Sequence, residues 1–251
     1  DALVNIKRSN NIDIDMHNID YNDPKVLASI GTGKTEGVFQ LESAGMTSFM
    51  KELKPGCIED IIAGIALYRP GPMDFIPAYI RGKNNKAAIR YAVPELEPIL
   101  AETYGCIVYQ EQVMQIVRDL AGYSWGRSDL VRRAMSKKKV EVMEKERRNF
   151  VYGNEEEGVP GCVGNGISED IANELFDEMT SFASYAFNKS HAAAYARIAY
   201  QTAYLKANHF GEYMAALMTS VISDTGKLAS YLEECRNAGL VVSPPDVNVS
   251  S

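Results

Sequence analysis

From Ser43 to the region of Asn237, apolar residues recur at the spacing of helices, and the breaks fall at glycines and prolines. A chain punctuated this way has few alternatives to a mainly α fold. Ser43 caps a predicted helix over 44–53, which stops at Pro55-Gly56, and an apolar helix over 58–67 is halted by Arg69-Pro70-Gly71-Pro72. Helices are predicted over 94–103 and 110–120, the second with Val113, Ile116, Val117 and Leu120 on one side. Gly122 ends it, and Trp125, the single tryptophan, is expected to anchor packing there. A long helix over 129–150, broken near Ser136, precedes a glycine-rich loop over 151–166. Ser168 caps the next helix, and three more are predicted over 192–208, 211–222 and 227–237. Short strands are expected at 12–15, 37–41 and 104–109. No internal repeat interrupts this reading, so one mainly α body with a few short strands is expected.

Charge singles out two of these helices. Asn188 and Ser190 are good N-cap residues ahead of Ala192-Ala193-Ala194. A helix N-terminus carries partial positive charge, so acidic residues suit it, as Glu169 and Asp170 do at the preceding helix. This start instead carries Lys189 and His191. An anion such as phosphate would answer that charge, and a solvated basic turn would also account for it. Residues 127–148 hold nine Lys or Arg against four acids, a local excess of five inside a chain of net charge −7. The excess points to one anion-facing surface rather than a generally basic coat. Arg133 and Lys137 share a helix face; Asp129 can offset Arg133, but no neighbour offsets Lys137 and Lys138.

Other motifs carry less. Asp13 and Asp15 would share a strand face and could hold magnesium, but polar neighbours favour a solvated connection. Gly31-Thr32-Gly33-Lys34-Thr35 has the ending of a P-loop. Ala28 stands where the first P-loop glycine belongs, and a helical stretch leads in where a strand is required, so a glycine turn is expected. The four cysteines form no CxxC pair and read as reduced thiols. No apolar run reaches the length of a membrane span. The chain begins at Asp1 and ends in a polar stretch over 241–251, which suggests a piece of something longer.

Five stretches in order are similar to one family: GVFQLESAGM (37–46), ALYRPGPM (66–73), YGCIVYQEQVM (104–114), AGYSWGRSDLVRRAMSKKK (121–139) and FASYAFNKSHAAAYARIAYQTAYLKA (182–207), with LVVSPPDVN (240–248) fitting as well. Together they resemble the catalytic α subunit of bacterial DNA polymerase III, a C-family replicative polymerase. The resemblance implies a helical fingers domain over 37–238, a lead-in from the palm over 1–36, and an exit toward a helix-hairpin-helix domain over 239–251. It implies that this segment helps position an incoming deoxynucleoside triphosphate on primer-template DNA. The whole protein would be a nucleotidyltransferase using Mg2+, held by palm aspartates outside this chain, so the resemblance implies no catalytic residue and no metal ligand here. It argues against a catalytic role for Asp13 and Asp15. Accessory subunits, among them a sliding clamp, would engage regions outside this chain, in the bacterial cytoplasm and away from any membrane.

The residues the resemblance assigns to the triphosphate are Arg132 and Arg133, with Lys137 and Lys138 extending the surface, and Lys189, Ser190 and His191 at the NKSH helix start. Arg69 in RPGP is a further candidate. Ser136 stands where the family more often has glycine, which leaves the local backbone open. Two other readings compete: a free-standing helical module binding nucleic-acid backbone through residues 127–148, and a nucleotide hydrolase using Gly31 to Thr35.

Overall fold

The computed structural model describes residues 1–136, 140–183, 185–244 and 246–248. The α-helices are α1 (Ala2–Asn10), α2 (Pro24–Gly31), α3 (Ala44–Leu53), α4 (Ile58–Leu67), α5 (Ile76–Asn84), α6 (Glu97–Leu100) and α7 (Gln110–Ala121). They continue as α8 (Trp125–Ser136), α9 (Val140–Tyr152), α10 (Gly161–Gly164), α11 (Glu169–Ala183), α12 (Lys189–Asn208), α13 (Phe210–Ser220) and α14 (Thr225–Asn237). Caps fix several starts: Ser43 Oγ accepts from Met46 N (3.3 Å), and Asp224 Oδ1 accepts from Lys227 N (3.0 Å). Gly122, at φ 78°, supplies the left-handed C-cap that ends α7.

The chain divides into two compact units, one of residues 1–60 and 195–251, the other of residues 61–194. In the first, Ile6 of α1 is buried with Leu205, Tyr213, Met214, Tyr231 and Cys235 from α12, α13 and α14. In the second, the predicted stripe of α7 is buried with Val131 and Met135 of α8, Phe150 and Val151 of α9, and Leu175, Phe176 and Met179 of α11. This core holds the face of α8 opposite its exposed Arg133.

Three strand expectations need correction. Residues 37–41 form consecutive turns, with Val38 N bonded to Thr35 O and Leu41 N to Val38 O. Gly37 (φ 72°) and Gln40 (φ 64°) are left-handed, which extended backbone excludes. Residues 12–15 are irregular; Asp13 pairs with Lys7 at 2.9 Å, and Asp15 accepts from His17 N (2.9 Å) and Asn18 Nδ2 (2.6 Å). The segment 104–109 contributes only a parallel bridge from Tyr109 to Phe187, one of two isolated bridges among the described residues. Trp125 is also not a packing anchor. It is 50% exposed, with the Arg118 guanidinium 4.3 Å over its ring, and Tyr123 (3% exposed) fills the core instead.

The glycine turn after α2 is a helix C-terminus. Thr32 N donates to Ala28 O (2.9 Å), Gly33 N to Ile30 O (2.9 Å) and Lys34 N to Ser29 O (3.1 Å). A P-loop needs such amides free to cradle phosphate; here the preceding helix has taken them. All four cysteines are free thiols.

Candidate functional site

Helical spacing alone brings the two predicted arginines onto one carboxylate. Asp129 lies three residues before Arg132 and four before Arg133, so all three share a face of α8. Arg132 Nη2 is 2.7 Å from Asp129 Oδ1, and Arg133 Nε is 2.8 Å from Asp129 Oδ2. The hydrogen bond and charge of Arg132, followed by those of Arg133, hold the Asp129 carboxyl below its ordinary range. One carboxylate serves two guanidiniums, so the group keeps a positive charge. Arg132 is largely covered (side chain 17% exposed), whereas Arg133 reaches solvent (61%).

Three further cations of the basic run are answered by acids distant in sequence. Arg127 pairs with Glu146 (2.8 Å) and with Glu157 (2.6 Å), Lys145 pairs with Glu157, and Arg147 pairs with Asp177. Lys137 and Lys138 lie outside the described residues.

Arg132 connects to the segment before α12 through Gln110, the first residue of α7. Arg132 Nη1 donates to Gln110 Oε1 (3.2 Å), and Gln110 Nε2 donates to Ala186 O (3.0 Å). Gln110 N also donates to Phe187 O, and Phe187 N to Val108 O, which makes the bridge at Tyr109. Gln112 secures this turn from beneath. Its buried amide accepts from Val108 N (2.9 Å) and Tyr109 N (3.0 Å), and donates to Ile99 O (3.2 Å) and Thr103 Oγ1 (2.8 Å). A primary amide offers two donor hydrogens and an acceptor oxygen at the end of one side chain, which is why two glutamines can join so many main-chain groups.

Helix α12 starts three residues before the predicted 192, with Asn188 Oδ1 accepting from His191 N (2.9 Å) as N-cap. The positive charge expected to lack an answer at this start has two. The Glu111 carboxylate accepts from Lys189 N (3.0 and 3.2 Å) and Asn188 Nδ2 (2.9 Å). The Glu102 carboxylate takes both bonds of the Lys189 ammonium, at 2.7 and 2.8 Å. The chain itself therefore supplies the anion that helix electrostatics calls for.

Phe187 joins the remaining candidates. The Arg69 guanidinium lies 3.8 Å over its ring, and His191 meets the same ring edge-on at 5.2 Å between centroids. Gly71 brings the Arg69 loop this close: at φ 99°, a Cβ there would fall 2.3 Å from Tyr185 Cδ1. Ser190 is exposed at the same helix start. Arg132, Arg133, Lys189, His191 and Arg69 are thus tied through Gln110, Glu111 and Phe187 into one connected group within residues 61–194.

The arrangement can bind an anion through guanidinium forks, an ammonium and a helix terminus. Among the described residues no group of three or more His, Cys, Asp or Glu could hold a metal ion. Sequence reasoning missed Glu102, Gln110, Glu111 and Gln112. Only Gln112 left a local signal, a glutamine at the third position of a helix, where it can reach back to the N-cap amide.

The description "bacterial DNA polymerase III alpha subunit finger domain" matches residues 1–158. DNA polymerase III subunit alpha of Thermus aquaticus is 50% identical over 250 residues, covering 98% of this chain and 20% of that protein. The Bacillus subtilis subunit is 48% identical over 246 residues, covering 98% of this chain and 21% of the relative. The Mycobacterium leprae subunit is 48% identical over 256 residues, covering all of this chain and 21% of the relative. The chain spans about a fifth of the length of these relatives.

Proposed function

The chain belongs to the finger-domain family of bacterial DNA polymerase III alpha subunits, and from that premise we propose that it meets the triphosphate of an incoming deoxynucleotide and positions it on primer-template DNA. The observation that carries the reading is the linked set of cations: two arginines of α8, the basic start of α12 and the Arg69 loop, joined by α7. A triphosphate presents several charged oxygens in a row, and it needs several donors held at fixed spacing.

Glu102 and Glu111 occupy the donors of Lys189, and Asp129 occupies donors of Arg132 and Arg133. Phosphate oxygens would replace these carboxylates as acceptors, which keeps the donors oriented and avoids leaving them bare. Arg133, the more exposed of the two arginines, would meet the nucleotide first, and Arg132 would be the better-positioned fork. Ser190 would add a hydroxyl donor at the helix start.

The whole subunit would be a DNA-directed DNA polymerase, with magnesium held by palm carboxylates beyond this chain. Primer-template DNA and accessory replication subunits would be its partners, in the cytoplasm. Among the described residues no helix is long and apolar enough to cross a membrane.

The test is steady-state kinetics on the whole subunit. Arg133→Ala and Lys189→Ala should each raise the nucleotide KM about tenfold with DNA binding retained, the effect of removing one charge-assisted hydrogen bond. Wild-type KM in both variants would overturn the reading.

A further inference from the structure

A second cationic surface lies on residues the nucleotide reading does not use. Residues 75–94 contain four cations, Arg81, Lys83, Lys86 and Arg90, inside a chain of net charge −7, and no acid follows Asp74 until Glu95. Helix α5 ends within this run, and Arg81 and Lys83 sit in its last turn, where the helix dipole favours them. That accounts for two of the four. Lys86 and Arg90 lie beyond the helix, and still the fold gathers them with Arg81. Arg81 and Arg90 line one cavity of about 300 Å3 with Tyr104, and Lys86 Nζ lies 5.5 Å from the centroid of the Tyr104 ring.

The site is built rather than loose. Arg90 Nη1 donates to Ala87 O (2.7 Å) and Ile89 O (3.0 Å), so its guanidinium is held in place. Tyr104 adopts φ 53°, and its ring meets Tyr79 edge-on at 5.1 Å. Two glycines form the wall: a Cβ at Gly82 would fall 2.6 Å from Tyr104 O, and one at Gly105 would fall 2.8 Å from Ile89 Cγ2. Cys106 lines the cavity with its thiol raised to about 11, mainly by burial, with Glu178 raising it and Arg81 lowering it.

We propose that this surface grips the phosphate backbone of a DNA strand, at a place separate from the nucleotide site. The chemistry selects a polyanion, because three cations converge without paired carboxylates in their own segment. It selects nucleic acid over an acidic protein because the core of a protein interface is depleted in charge and carries apolar side chains, whereas this surface is centred on cations. Among the described residues no exposed large hydrophobic side chain falls between residues 76 and 107. Tyr104 supplies the aromatic ring that nucleic-acid surfaces interleave with cations.

The experiment is equilibrium binding of a labelled primer-template to the whole subunit over a salt series, using the double variant Arg81→Ala/Lys86→Ala. Affinity should fall roughly three- to tenfold at about 0.1 M salt, and the slope of log K against log salt should shrink by about 0.9 for each duplex phosphate no longer neutralised. Nucleotide KM at saturating DNA should stay at the wild-type value. The charge-preserving variant Arg81→Lys/Lys86→Arg should restore both affinity and slope. Unchanged affinity and slope in the alanine variant, with its thermal midpoint intact, would overturn the proposal and leave a solvated basic face or a protein-binding one. A loss that the charge-preserving variant does not restore would overturn it as well, since shape rather than charge would then decide binding.

Discussion

Two turns in this chain carry phosphate-like sequence signals, and the structure uses their backbone amides in opposite ways. After α2, the amides of Thr32, Gly33 and Lys34 all bond to carbonyls of the helix they close. Before α12, the amide of Lys189 bonds to a side-chain carboxylate, Glu111, from another helix. The first set can be released only by unwinding a helix end. The second can pass to another anion by a side-chain rotation. A glycine-rich spelling is therefore a poor guide to anion binding, and the acceptor that holds the amide is a good one.

The comparison can be broken most strongly at Gln112, beneath the second turn. Gln112→Ala removes four hydrogen bonds in a buried setting and should destabilise the fold by about 3 kcal/mol, read as a lowered thermal midpoint. A variant melting like wild type would show that the turn before α12 does not depend on α7. At the first turn, Gly33→Ala meets a strained φ of 81° and the Lys51 side chain, and should cost about 1–2 kcal/mol with no change in nucleotide kinetics. An altered KM there would put the glycine turn back among the nucleotide-binding residues.

A sharper and smaller test concerns exchange. If the carboxylate at Lys189 competes with phosphate, Glu102→Gln should lower the nucleotide KM by about two- to fivefold, the scale of an exposed ion pair. The same change in a Lys189→Ala background should do nothing. Smaller still is the effect of acid. The Asp129 carboxyl titrates below its ordinary 3.8, so its pairing with Arg132 and Arg133 contributes fully above that value and is lost as pH falls through the lowered one. An Asp129→Asn variant should therefore lose its stability deficit in that acid range, as followed by pH-dependent melting.

What could be read from residues alone follows the range of the forces involved. Helix α7 and its buried stripe were legible because Val113, Ile116, Val117 and Leu120 repeat at helical spacing. The pairing of Asp129 with Arg133 was legible because the two stand four apart on one helix; that Asp129 also takes Arg132 was not anticipated. The acids that answer the remaining cations were not, because Glu102, Glu111, Glu157 and Asp177 come from other helices or loops. Residues 37–41 read as a strand because Val38, Phe39 and Leu41 are apolar and closely spaced, and nothing in the spelling announces a left-handed Gln40.

The exposed indole of Trp125 gives the chain its own optical reporter. It precedes Arg132 and Arg133 by seven and eight residues on one helix, two turns or about 10–12 Å along the axis, on the same side. As the only tryptophan in these 251 residues, it would emit without interference from another indole of the chain. A dye-bearing nucleotide seated at those arginines would lie within energy-transfer range of it, so occupancy could be followed in solution by light alone.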